Sequence, residues 1–352
     1  MLHVEQMVGS GFSQGPVTVT NDDELAVMFI GFMQQFLLLF PEMNGFSLYM
    51  TGESYAGYHA SYISKNIVQQ PAALNLTFRG LMLFDPSLHY DIIQEQAPAL
   101  PFARYWQDIM RLNDTTLATL QTQSDRCGYT NFFDQLTYPP SKALTFPNGR
   151  TTATEDCDIF SAIINAALVI NPAFNIYDIL DISVLSDPLG LPGTFPSQQF
   201  PFSAYFNIEA VKQVLHAPNI TWETCASGKV YATPSGYGTN APSTFEALPI
   251  VLNAGKRVII GHGALDYVLM QNGTRFAIQN MTWQNRQGFQ QPIGSGLFYT
   301  GAQGSVGNVH EERGLTYVEP YLSGHMVPQF QPLVAVKMLT YLLGQIDTIV
   351  GK

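Results

Sequence analysis

Three residues able to do hydrolytic chemistry follow one another along the chain: Ser54, Asp266 and His325. Ser54 lies in TGESYAGYHA, Thr51 to Ala60, with Gly52, Ala56 and Gly57 as small neighbours. A serine hydroxyl attacks a carbonyl efficiently only when a base takes its proton. A histidine whose tautomer and charge are held by a carboxylate is such a base. His325 would then remove the serine proton and later return one to the leaving group, while Asp266 fixes the imidazole. Read locally, Asp266 also fits a helix cap before Tyr267, and His325 also fits a core histidine. Asp85 and His262 are rival candidates, because each also follows a strand-like run.

The surrounding elements are what make the three residues a set. FSLYM, Phe46 to Met50, reads as a buried strand and YHASYISKNIV, Tyr58 to Val68, as a helix, so a tight turn must carry Ser54 between them. That strand–turn–helix is the nucleophile elbow, G-x-S-x-G, of α/β-hydrolases, in which small residues flank the serine because the turn leaves no room for side chains. The run from Leu76 to Phe84 predicts a further buried strand, ending at Asp85-Pro86. KRVIIGHGALDY, Lys256 to Tyr267, and GLTYVEPYLSGHMVP, Gly314 to Pro328, each read as a strand leading into a loop that carries Asp266 or His325. Sites in open α/β sheets lie beyond the carboxyl ends of strands, and the chain order Ser, Asp, His is that of α/β-hydrolases.

Ala26 to Phe40 follows Asp22, Asp23 and Glu24 and reads as a capped helix packing on a sheet. Phe206 to Ala217 has helical spacing with Ile208, Val211, Val214 and Leu215 on one face, and Gln331 to Ile346 closes the chain as an amphipathic helix. Between His89 and Tyr205, proline, tyrosine and polar turns alternate with short helical pieces such as Asp158 to Ile170, the pattern of an inserted lid. The expected organisation is an α/β core of residues 1–88 and 206–352 with a lid of residues 89–205.

Composition narrows the partners. The chain has 352 residues, 46% hydrophobic and 12% charged, which fits a globular protein. A net charge of −11 argues against nucleic acid. The longest apolar run is broken by Gln34 and Gln35 and is too short to span a bilayer. No basic segment or cleavage site precedes it, so no signal peptide is expected in this chain. Asn75, Asn113, Asn219, Asn272 and Asn280 each begin an N-x-[ST] sequon, which favours a secreted or vacuolar protein. Cys127, Cys157 and Cys225 are the three cysteines, and an odd number leaves one thiol without a partner in the chain. No repeat, phosphate-binding glycine loop or metal-ligand cluster is legible.

With these residues assembled, the chain closely resembles the serine carboxypeptidase family, in detail its fungal secreted or vacuolar members. The likeness runs almost end to end through VGSGFSQG (Val8 to Gly15), TGESYAG, NPAFNIYDI (Asn171 to Ile179), GALDYVLMQNGTRFAIQNMTW and SGHMVPQFQP (Ser323 to Pro332). The resemblance implies an α/β-hydrolase fold that removes single residues from peptide C-termini through an acyl-enzyme, without metal or cofactor. It assigns Ser54 as nucleophile, Asp266 as triad acid, His325 as base, the Tyr55 backbone N–H as one oxyanion donor and Glu53 as a holder of the substrate's terminal carboxylate. Two carboxylates sit close together only by sharing a proton, which favours acidic pH.

Departures from the family pattern set further expectations. No G-G-P-G string occurs in the chain, although the family places one upstream of VGSGFS for the second oxyanion N–H. By resemblance the first strands of the sheet are also missing, leaving a gap or an exposed hydrophobic edge, and one lost oxyanion donor costs ~3 kcal/mol of transition-state stabilisation. The resemblance pairs Cys127 with Cys157 in the lid and leaves Cys225 free. Ala173 replaces a cysteine common in relatives, and Met270 an asparagine near their active sites. Alternatives are a truncated, inactive relative, or an acyltransferase like those of plants, which use an alcohol instead of water.

Overall fold

A computed structural model describes residues 1–181, 205–223, 225–226, 228–294, 296–299 and 304–350. The main sheet is built from β1 (Ser47–Glu53), β2 (Thr77–Phe84), β3 (Arg257–Gly261), β6 (Gly296–Tyr299), β7 (Ser305–Glu312) and β8 (Leu315–Pro320), in the order β1-β2-β3-β8-β7-β6. The first four strands of that order are parallel, β7 pairs antiparallel with β8, and β6 pairs antiparallel with β7. A two-residue pair, β4 (Thr282–Trp283) and β5 (Arg286–Gln287), stands apart.

Parallel strands covered on both faces read as continuous apolar runs, and the central ones do. In β2 and β3, Leu81, Leu83, Val258 and Ile260 face one side and join a core with α1 (Asp22–Leu39), α2 (Ala56–Gln69) and α8 (Ala247–Asn253). Their neighbours Met82, Phe84 and Ile259 face the other side, against Val334, Met338 and Leu342 of α11 (Pro332–Leu342). The period-2 alternation of a strand thus feeds two separate cores.

The helix α1 forms where the sequence predicts one but starts at Asp22, four residues before the expected Ala26, so that the acidic residues lie inside its first turn. The Asn21 side chain accepts from the Glu24 N–H at 2.9 Å, and three acidic residues fill the first turn. Leu25, Phe29, Met33 and Leu37 are buried at helical spacing, whereas Phe32, Leu38 and Leu39 remain exposed.

Two expectations need correction. β1 was expected to be buried, but Phe46 is exposed and the strand is only half-covered, because β1 pairs with β2 alone and forms an edge of the sheet among the described residues. The second concerns α7 (Glu209–Leu215), where Val214, Leu215 and the preceding Ile208 are exposed. Lys212 is the buried residue of that helix, with Nζ donating to the Ile220 carbonyl at 2.6 Å. That tether turns the aliphatic lysine stem inward and the apolar face outward.

Between β2 and β3, a π-helical turn (Ile92–Gln96) leads into α3 (Ala97–Tyr105), α4 (Gln107–Met110), α5 (Asp114–Cys127) and α6 (Ile159–Ile170). Their buried residues form a third core with Leu265, Tyr267, Met270 and Phe276, the last on α9 (Gln271–Asn280). Cys127 and Cys157 are joined by a disulfide, and Cys225 is a free, exposed thiol.

The elbow is packed against the loop that follows β2. Gly57 leaves no space for a side chain: a Cβ there would lie 2.2 Å from the Ser87 carbonyl oxygen and 2.8 Å from Pro86 Cβ. Backbone cannot yield as a flexible side chain does, so Gly57→Ala is expected to destabilise the fold by about 3 kcal/mol. Gly31, in α1, meets nothing within 4 Å at the same position. Gly31→Ala should therefore stabilise by about 0.5–1 kcal/mol, and urea denaturation of both variants checks the contrast.

Candidate active site

The parallel strands end in register. Glu53 pairs with Phe84, Phe84 with Gly261 and Gly261 with Val318, so Ser54, Asp85 and the loops carrying Asp266 and His325 all emerge at one edge. Ser54 stands between the end of β1 and the start of α2 with φ +59°. Non-glycine residues avoid this left-handed region at a cost of order 1–3 kcal/mol, and its use at a strand–helix turn marks an elbow. The strain is held by three backbone bonds: Ser54 N–H donates to the Phe84 carbonyl at 3.0 Å, while the Ser54 carbonyl accepts from Gly57 and Ser87, each at 2.9 Å. Gly52 is small for a local reason, since a Cβ there would lie 2.7 Å from that of Ala56. Tyr55 caps α2, where backbone N–H groups have no carbonyl one turn back and face outward.

His325 and Asp266 meet across the loops after β8 and β3. His325 Nδ1 lies 2.7 Å from Asp266 Oδ2, and both side chains are buried. Asp266 Oδ1 accepts from the N–H groups of Val268 at 2.7 Å and Leu269 at 3.1 Å, so both carboxylate oxygens are engaged. The aspartate thus caps the turn after it and also holds the imidazole. Burial opposes its ionisation, but His325, with His262 assisting, keeps its carboxyl below the ordinary carboxylate range. Burial alone would push the His325 imidazole down, yet the Asp266 and Glu53 carboxyls hold it above its usual value. His325 Nε2 is buried and has no hydrogen-bond partner among the described residues. A ring nitrogen without a hydrogen-bond partner is free to take up a proton.

The rival pair is also present but differently employed. His262 Nε2 lies 2.5 Å from the Leu269 carbonyl, and its Nδ1 2.9 Å from the Thr274 hydroxyl, so both ring nitrogens are committed. Asp85 is fully buried and its Oδ1 accepts from the Gly263 N–H at 2.7 Å.

Glu53, the last residue of β1, lines a cavity of about 900 Å³ together with Ser54, Tyr49, His59, Met33 and Phe36. Burial pushes its carboxyl up to about 7; His325 pulls it down and Asp266 pushes it further up. The folded chain therefore binds this proton more tightly than the unfolded chain. Glu53's contribution to stability is present below the ordinary carboxylate range and falls as pH rises toward about 7.

Sequence reasoning overlooked the segment that holds His325 in place. The His325 N–H donates to the Tyr177 carbonyl at 2.7 Å, and the two rings meet edge to face with centroids 5.4 Å apart. Gly324 allows this approach, because a Cβ there would fall 2.0 Å from the same carbonyl. The signal was NPAFNIYDI, which carried a resemblance but no stated role. Of the sequon asparagines, Asn75, Asn113 and Asn219 are exposed, while Asn272 and Asn280 lie half-buried on α9.

Comparison with known proteins bears on this geometry. The model of the serine carboxypeptidase family matches residues 1–345. The chain belongs to that family. A probable serine carboxypeptidase of Arthroderma benhamiae is 38% identical, the match covering 97% of this chain and 65% of that protein. Serine-type carboxypeptidase F of Aspergillus niger is 36% identical over 99% of this chain and 70% of its own length. The chain thus spans about two thirds of the length of these relatives. A prohormone-processing carboxypeptidase from Saccharomyces cerevisiae superposes with a TM-score of 0.70 at 19% identity, covering 97% of this chain and 74% of that one. At that identity the likeness shows the fold, an α/β-hydrolase. No described helix is long and apolar enough to cross a membrane.

Proposed function

We propose that this serine carboxypeptidase family member releases C-terminal residues from peptides through an acyl-enzyme formed on Ser54. The observation that carries the reading is the 2.7 Å bond between His325 Nδ1 and Asp266 Oδ2, with the buried Nε2 left without a hydrogen-bond partner among the described residues. Ser54 Oγ attacks the scissile carbonyl as Nε2 takes its proton. The Tyr55 N–H receives the developing oxyanion, and His325 then protonates the departing amino acid. Water repeats the sequence on the acyl-enzyme and frees the shortened peptide. Asp266 keeps the Nδ1–H tautomer in place and stabilises the imidazolium.

Glu53 recognises the terminal carboxylate in this reading. A carboxyl with a pKa near 7 beside the nucleophile keeps its proton in mild acid and donates it to a substrate carboxylate. The described part of residues 89–205 is assigned as the lid, residues 182–204 lying outside the described residues, and peptide C-termini are the partners, with no metal or cofactor assigned a step. The Cys127–Cys157 disulfide and the exposed sequon asparagines support a secreted or vacuolar setting.

The test compares an N-blocked dipeptide with its C-terminal amide and with an ester substrate. Release of the free C-terminal amino acid, blocked by a serine-directed organophosphonate, is the expected result. Release from the amide as fast as from the free acid counts against a carboxypeptidase. Glu53→Ala should weaken free-acid substrates far more than esters, and equal losses would remove its recognition role. In the unmodified chain the preference for the free acid should decline as pH rises through about 7, where Glu53 loses its proton.

A further inference from the structure

Asp85 stands beside the catalytic set although no step above uses it. It is the first residue past β2, with φ +42°, and its N–H donates to the Gly261 carbonyl at 2.8 Å. One oxygen of Asp85, one of Asp266 and one ring nitrogen of His325 lie within 4.8 Å of one another, all three side chains buried. Asp85 Oδ2 is buried with no hydrogen-bond partner among the described residues.

Two carboxylates this close, both shielded from water, do not both stay ionised. Their surroundings decide which keeps its charge. Asp266 receives two backbone N–H groups and His325, whereas Asp85 receives only the Gly263 N–H. Glu53, at the end of β1, adds to the repulsion on Asp85 when it is ionised.

His262 does not make up the difference. Its Nε2 points at the Leu269 carbonyl, which can only accept, so that nitrogen carries the hydrogen. Thr274 Oγ1 accepts from Gln94 Nε2 at 3.1 Å and is thereby left to donate to His262 Nδ1. From this committed ring, Nε2 is 3.7 Å from Asp85 Oδ1 and 3.6 Å from Asp266 Oδ2, beyond hydrogen-bond reach of either.

We propose that Asp85 keeps its proton throughout the reaction and acts as a positioning residue, presenting that proton to the Asp266 carboxylate that holds His325. Burial, the Asp266 charge and, after them, Glu53 all push the Asp85 carboxyl well above the ordinary range. A neutral acid gives Asp266 a donor without adding a second charge beside His325. A second charge would hold the imidazole protonated and keep it from accepting the serine proton. The inference rests on the reading of Ser54, His325 and Asp266 as nucleophile, base and acid.

The experiment uses the full chain in three forms: unmodified, Asp85→Asn and Asp85→Ala. Infrared difference spectra of the unmodified chain against Asp85→Asn at near-neutral pH should contain the C=O stretch of a buried, protonated carboxylic acid. Its absence overturns the inference. This reading needs no activity, so it separates a failure here from a failure of the proposed function. Asparagine tolerates the left-handed backbone and offers an N–H donor to Asp266 and an oxygen to Gly263.

In kinetics, Asp85→Ala should lower kcat/KM by about 10- to 100-fold, chiefly through kcat, as expected for a lost orienting group. Asp85→Asn should restore it to within about tenfold, with the acidic limb of the pH profile unmoved. If Asp85 is instead ionised, Asp85→Asn removes a charge near His325 and that limb falls by about one pH unit or more. Such a fall, or an Asp85→Ala variant with unchanged kcat/KM, overturns the proposal.

Discussion

Ser54→Ala is expected to lower kcat for peptide hydrolysis by about 10⁴- to 10⁶-fold, to the level that binding and oxyanion contacts sustain alone. No other hydroxyl takes over, because the elbow presents this one by a backbone conformation held at three hydrogen bonds. The same substitution should abolish labelling by a fluorophosphonate while leaving unfolding in urea within about 0.5 kcal/mol, since only one half-buried oxygen is removed. Intact mass after labelling checks the site directly. Label retained by the alanine variant would assign the nucleophile elsewhere.

Asp266→Asn should lower kcat by about 10⁴-fold, and the reason is the direction of its hydrogen bonds. Oδ1 accepts two backbone N–H groups, from Val268 and Leu269, so an asparagine must place its carbonyl oxygen there. Its NH₂ group is then left facing His325 Nδ1. That nitrogen can no longer carry the hydrogen, and the proton moves to Nε2, the atom that accepts from Ser54 in the proposed mechanism. The side chain keeps its size and most of its contacts, so the fold should persist. A loss below tenfold at the pH of best activity would mean that Asp266 only caps its turn. Measuring kcat up to alkaline pH separates the two outcomes.

The two variants probe different parts of one arrangement. Ser54 depends on a local turn, whereas Asp266 and His325 depend on two loops brought together by strand register. The order of strands in the sheet places β8 beside β3 and β3 beside β2, so residues far apart in sequence reach a common edge. The Gly263 N–H that binds Asp85 lies 178 positions from it, and the His325–Asp266 bond spans 59. Gly263 and Gly324 let these loops touch: a Cβ at Gly263 would lie 2.3 Å from the Gly324 carbonyl oxygen.

Sequence by itself determined the parts whose causes are local. The Asn21 cap and acidic first turn start α1, the apolar runs make β2, β3 and β8, and small residues around Ser54 permit the elbow. The order Ser54, Asp266, His325, each residue just past a strand, is the sequence reading on which the proposed function rests. Tertiary structure alone decided what depends on distant neighbours. It turned the apolar face of α7 outward around Lys212 and gave the Tyr177 carbonyl the task of holding His325. It also separated the two histidines, engaging both ring nitrogens of His262 while leaving His325 Nε2 bare. Periodicity and caps are fixed by neighbours within a turn or two, but burial, charge and hydrogen-bond partners at a loop are fixed by whichever segments the sheet brings alongside.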